Sequence, residues 1–427
     1  MAEADKYTFK NEQGSEQAID SADLVAVVPG PEGLSSIILH VERNSADAAA
    51  PPEVAITKGL PNFAGPWPTT ADRETHIILS TGSGGNLATS FFERAVKPVL
   101  AAVFPQAHGG FQVHQTESAS SILNLAKDVF FPRANRGSLL RIILLSGDGG
   151  IVDLVNGLVA QPASYDYKSP QVVLLPLGTA NALYHSVNAG KTNTWGLSTL
   201  AADGHRSLPI FTASFSPGAR LLVDEARHEQ ELPKDPQTQN PILHGAVVAS
   251  WAMHAALVAD SDTAEYRKFG VERFKMAANE ALFPADGSPP HPYKASVSVL
   301  KGETWSALQK EEHMYVLATM VSNLEKTFTI SPASKPLDGS LHLVQFGPTD
   351  GTEAMRIMGL AYQGGKHVDD DSVLYEAVDG LRIEFQGKGE DARWRRICID
   401  GKIVRLEKDG WVEIRKTERQ VLDIVVS

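Results

Sequence analysis

Cysteine is almost missing from this 427-residue chain, with Cys398 its single representative. One cysteine closes no intramolecular disulfide and builds no cysteine-based zinc site. Cys398 therefore reads as a small, buried apolar residue. Basic charge is in deficit: 39 Lys and Arg face 51 Asp and Glu, a net charge of −12. That balance argues against a general nucleic-acid binder, which needs a basic surface, but leaves room for a local basic pocket for phosphates. Long apolar runs are missing as well. No stretch approaches the ~20 apolar residues that span a bilayer. The polar start MAEADKYTFKNEQGSEQ lacks the apolar core of a secretory signal. The expectation is a cytoplasmic protein whose membrane contact, where it occurs, is peripheral.

The composition that remains, 43% hydrophobic and 21% charged, is that of an ordinary globular protein. The length suits two or three domains of about 150 residues each. Residues 1–20 read as disordered. Residues 21–69 read as a small β-rich element, carried by LVAVVPG and SSIILHVE, with a linker from Leu60 to Thr70. Residues 70–204 then repeat one rhythm. HIILS (76–80) is followed by TGSGG and a helical pattern. RIILLS (141–146) is followed by GDGG and another, and QVVLLPL (171–177) by Gly178-Thr179-Ala180-Asn181 and a third. Strand, glycine turn and helix, three times over, predict a three-layer α/β nucleotide-binding domain with a mostly parallel sheet. Residues 205–427 carry many short strand-like runs between Gly, Pro and Asp turns, which predicts an antiparallel β-sandwich. One helix is expected over Thr263–Asn279 and a mobile polar loop over Asp224–Asn240.

Ligands of such parallel sheets bind at the carboxyl ends of the strands, where all three glycine turns fall. Backbone N–H groups in glycine turns, and the positive end of a helix, suit a triphosphate. Asp148 adds chemistry to that cradle. It has a general base's carboxylate for an attacking hydroxyl, or a ligand's for Mg²⁺; locally it serves equally well as a helix cap. Two other glycine patterns carry nothing. Gly190-Lys191-Thr192 lacks the earlier glycine of a Walker loop, because position 185 is His, and Gly82, Gly84 and Gly85 do not form GxGxxG.

Three segments together resemble the diacylglycerol-kinase-type lipid kinases, and most closely their sphingosine kinase branch. They are SGDGGIVDLVNGL (146–158), LPLGTANAL (175–183) and ADSDTAEYRKFGVERF (259–274). The resemblance implies an ATP- and Mg²⁺-dependent kinase that phosphorylates the primary hydroxyl of a sphingoid base. Its alternatives are a diacylglycerol or ceramide kinase, or a catalytically impaired relative that binds lipid. It implies that Asp148 is the general base. Ser80, Gly82, Gly84, Ser146, Gly147, Gly149, Gly178, Thr179 and Asn181 would surround the nucleotide phosphates, and Thr116 the adenine. Arg267 and Arg273 would grip the phosphates; read without the resemblance, they are a solvated helix face. Asp262, with Asp260 as substitute, would bind the lipid amine, and Asp153 and Asp400 would serve the metal. A lipid substrate is the implied partner, and a homodimer is compatible with the chain. Three positions depart from the family pattern. Ser80-Thr81 replaces Asn-Pro, Gly85 replaces a basic residue, and Asp400-Gly401-Lys402 replaces Asp-Gly-Glu, with Lys402 then free to contact phosphate.

Overall fold

A computed structural model describes residues 6–29, 36–42, 50–61, 73–104, 110–191, 194–389 and 391–426. The sheet that carries the glycine turns has six strands, four of which are β1 (Glu74–Leu79), β2 (Gln112–Gln115) at one edge, β3 (Leu140–Ser146) and β4 (Gln171–Pro176), all parallel. They lie in the order β4-β3-β1-β2, with Ile77, Ile143 and Val173 side by side. Strands covered on both faces are apolar throughout, and every residue of β3 and β4 is buried. The period of two sorts their side chains. Ile77, Leu79, Ile143, Leu145, Val173 and Leu175 face one layer, which contains Phe91, Val96 and Leu100. Ile78, Ile142, Leu144, Val172 and Leu174 face the other. That second layer contains α1 (Asp148–Leu158), through Ile151, Leu154, Val155 and Leu158, and the short helix α2 (Ala182–Val187).

The C-terminal region forms two antiparallel sheets, of six and eight strands, on a shared apolar core that includes Phe211, Trp251, Phe346 and Phe385. The eight-stranded sheet supplies β5 (Val248–Ala252), which runs into α3 (Met253–Asp260). It also supplies the hairpin of β6 (Arg396–Ile399) and β7 (Lys402–Arg405). Asp400 and Gly401 join the two strands with φ values of 47° and 86°. Asp-Gly is a sequence suited to such a tight hairpin turn.

Three expectations are corrected. Residues 6–20 are ordered: Lys6–Asn11 pairs with Glu16–Asp20, and Asn11 Oδ1 fixes the turn by accepting from the Gln13 and Ser15 amides. The polar segment 224–240 is largely ordered too. Arg220–Val223 pairs with His228–Glu231, and Leu232 is buried behind the pair. The single helix over Thr263–Asn279 is two helices, α4 (Ala264–Arg267) and α5 (Glu272–Leu282), parted at Gly270 with φ +55°. The linker at 62–70 lies outside the described residues. One strand was not foreseen: β8 (Asp423–Val425) leaves the C-terminal region and pairs in parallel with β4.

Candidate active site

The three glycine turns meet at the carboxyl edge of the parallel sheet, and the third touches each of the other two backbone to backbone. A Cβ on Gly178 would lie 2.4 Å from the Gly147 Cα, and one on Gly84 would lie 2.5 Å from the Leu177 carbonyl oxygen. Glycine at 84, 147 and 178 is therefore explained by the packing of one turn on another. Gly82 and Gly149 differ, because a Cβ on either meets nothing within 4 Å. These two face open space, the side on which a ligand fits.

Hydroxyls and one amide fasten the turns. Ser80 Oγ lies 2.6 Å from Ser83 Oγ, which lies 3.1 Å from Ser146 Oγ. Thr116 Oγ1 accepts from the Thr81 amide at 2.9 Å, and Thr81 Oγ1 donates to the Thr116 carbonyl at 2.7 Å. Asn181, with φ 56°, accepts from the Gly178 amide through Oδ1 and donates to its carbonyl through Nδ2. Thr116 and Asn181, expected to meet the nucleotide, are thus committed to loop architecture. Thr179 is half-buried in the third turn. Ser83 was missed; a serine inside a glycine turn carries no sequence signal of what it bridges.

Asp148 opens α1, whose N-terminus has no side-chain cap. Its carboxylate reaches across to α2 instead, accepting from the Ala182 and Leu183 amides at 2.8 and 2.9 Å. Capping, one of the two readings of this residue in the sequence, is what these bonds perform, and the helix capped is the one after the third turn. Burial raises its pKa above the usual carboxylate range, against the amide bonds, which lower it.

Of the remaining acids, Asp400 is fully buried in hydrogen bonds: both oxygens accept from the Ala246, Val247 and Val248 amides at 2.6 to 3.2 Å. Burial pushes its pKa up to about 7; the amides oppose the rise and the nearby Asp148 charge adds to it. Asp153, on α1, forms an ion pair with Lys402 Nζ at 2.7 Å. The metal reading of Asp153 and Asp400 is corrected on this geometry. One is closed by amides and the other by an ammonium. Among the described residues no cluster of three or more His, Cys, Asp or Glu is placed to hold a metal.

Asp262 accepts from Arg267 Nε at 3.0 Å and Arg273 Nη1 at 3.3 Å. Asp260 faces a different pair, Arg393 at 2.7 Å and Arg396 at 2.8 Å. The two acids are therefore not interchangeable. The arginines expected at the phosphates hold the acid expected at the lipid.

A parallel sheet with three interlocked glycine turns and an acid at its carboxyl edge is the architecture of a nucleotide-handling enzyme. Residues 74–212 match the diacylglycerol kinase catalytic domain. The chain is 22% identical over 337 residues to sphingosine kinase 1 of Rattus norvegicus, covering 72% of this chain and 81% of that protein. It is 22% identical over 359 residues to sphingosine kinase 1 of Homo sapiens, covering 77% and 85%. A crystal structure from Bacillus anthracis str. Sterne, assigned as a diacylglycerol kinase, superposes with a TM-score of 0.55 at 14% identity, covering 86% of this chain and 98% of that one. Residues 74–212 are thus similar to a diacylglycerol kinase catalytic domain, and the likenesses together support a lipid kinase of that kind. Kinases of this family use ATP. Among the described residues no helix is long and apolar enough to cross a membrane.

Proposed function

We propose that the protein transfers the γ-phosphoryl group of ATP to the primary hydroxyl of a sphingoid base. The observation that carries the reading is the position of Asp148, a carboxylate at an uncapped helix N-terminus beside the open faces of Gly82 and Gly149. Phosphoryl transfer needs positioning and charge stabilisation more than covalent chemistry. The positive end of α1 and the glycine turns beside it suit the phosphates. Asp148 accepts the hydroxyl proton as the lipid oxygen bonds to the γ-phosphorus and the bond to the β-phosphate oxygen breaks, releasing ADP. Mg²⁺ is the metal expected with ATP. Among the described residues the acids near the glycine turns do not fit a protein-held ion, so no step is derived through one. Contact with a membrane, peripheral and transient, follows from the acceptor being a lipid.

The amine of a sphingoid base is assigned to Asp262, on its place in the segment that resembles the sphingosine kinases. A second reading is favoured by the ion pairs there. Two arginines already compensate Asp262, which suits a neutral acceptor such as diacylglycerol or ceramide. Incubation with labelled ATP and each lipid tests the proposal. Transfer to sphingosine is expected, and Asp262→Ala is expected to raise KM for sphingosine with little change in kcat. Unchanged sphingosine kinetics in that variant would move the assignment to a neutral lipid. Absence of transfer to any of the three, with ATP still bound, would remove the activity.

A further inference from the structure

Two acids of α1, Asp148 and Asp153, and Asp400 in the neighbouring hairpin are already held by protein donors. Asp148 accepts two amides, Asp400 accepts three, and Asp153 is paired with the Lys402 ammonium at 2.7 Å. A hard divalent cation binds through oxygens, and carboxylates are its main protein ligands. An ammonium beside Asp153 repels such a cation and occupies its ligand.

Local structure fixes Lys402 there. The Asp-Gly turn ends at Gly401, the Asp400 carboxylate ties the turn to residues 246–248, and Lys402 is the first residue of β7. The pair is largely shielded from water, with the Asp153 side chain 11% and the Lys402 side chain 27% exposed. Asp153 sits in the second turn of α1, the helix that follows the second glycine turn.

We propose that Lys402 is the resident counter-cation of Asp153 and closes that acid to divalent metal, so that ATP binds without an ion held by Asp153. The naming of ATP rests on the kinase reading. The closure of Asp153 to metal does not.

Mn²⁺ titration of the nucleotide-free protein, read by electron paramagnetic resonance, tests the closure. The wild type is expected to leave Mn²⁺ free. Lys402→Glu, which sets a second carboxylate beside Asp153, is expected to bind it about tenfold tighter or more. Calorimetry of ATP binding in chelator and in Mg²⁺ tests the consequence for the nucleotide. Wild-type affinities in the two conditions are expected to agree within about threefold. The double variant Asp153→Asn/Lys402→Gln replaces a neutral ion pair with a neutral polar pair. It is expected to leave Mn²⁺ free and to bind metal-free ATP within about threefold of the wild type, at a nearly unchanged melting temperature. Two results would overturn the proposal: Mn²⁺ bound by the wild type and lost in Asp153→Asn, or a gain of about tenfold or more in wild-type ATP affinity in Mg²⁺ that Asp153→Asn abolishes. Absence of ATP binding under every condition would remove the kinase reading, and the Mn²⁺ arm would then decide the closure by itself.

Discussion

Under the proposed mechanism Asp148 has two tasks that compete for the same oxygens. As a cap it accepts the Ala182 and Leu183 amides, and as a base it must keep a lone pair for a proton. Asp148→Asn preserves one accepting oxygen, so its cost to the fold is about 1 kcal/mol. Turnover in this variant is expected to fall about a hundredfold to ten-thousandfold, with ATP binding retained in a thermal-shift assay. The pH profile gives a second check. A base works when deprotonated, so kcat/KM rises with pH through the Asp148 pKa. Because burial raises that pKa, the rising limb is expected above the ordinary carboxylate range, and Asp148→Asn should remove it. The glycines separate at the same scale. Gly178→Ala drives a Cβ into Gly147 and is expected to cost about 1–3 kcal/mol in urea denaturation. Gly149→Ala meets open space, so it should leave stability nearly unchanged while weakening ATP binding.

Among the elements, the strand–turn–helix rhythm was readable because parallel strands buried on both faces are continuous apolar runs. What was not readable is which turn touches which. Gly147 and Gly178 are 31 positions apart, and no local pattern says that each is glycine to admit the other. Asn181 looked like a ligand residue and is a lock on Gly178. The hairpin at 6–20 escaped because its outer face is polar, and polarity alone does not separate an exposed hairpin from a disordered segment. The helical region 264–282 bears on the order of events. Arg267 and Arg273 cannot hold both Asp262 and a nucleotide phosphate through the same nitrogens. If the arginines serve the phosphates, ATP frees Asp262 for the amine. Sphingosine is then expected to bind several-fold tighter in the presence of a non-hydrolysable ATP analogue, as measured by calorimetry. Equal affinity with and without the analogue would separate the two sites.

For the whole molecule, the two regions are bound together by β8. Val421, Leu422, Ile424 and Val425 are all buried, and β8 extends the parallel sheet beyond β4. Each such side chain contributes about 1.5–3 kcal/mol on burial. Truncation after Gln420 is therefore expected to remove stability comparable to the ~5–15 kcal/mol of a whole domain. Loss of a cooperative melting transition in the truncated protein would be the sign. A two-state melt near the wild-type temperature would make β8 dispensable.

The same strand sets a timetable for biosynthesis. The glycine turns are translated before residue 182, yet the sheet that carries them takes its next parallel neighbour from residues 423–425. A nascent chain that has emerged only through the α/β segment has the turns without that neighbour, and that edge of β4 stays unpaired until residues 423–425 emerge. Emergence of β8, long after the last glycine turn, is therefore the step at which β4 gains its second parallel neighbour.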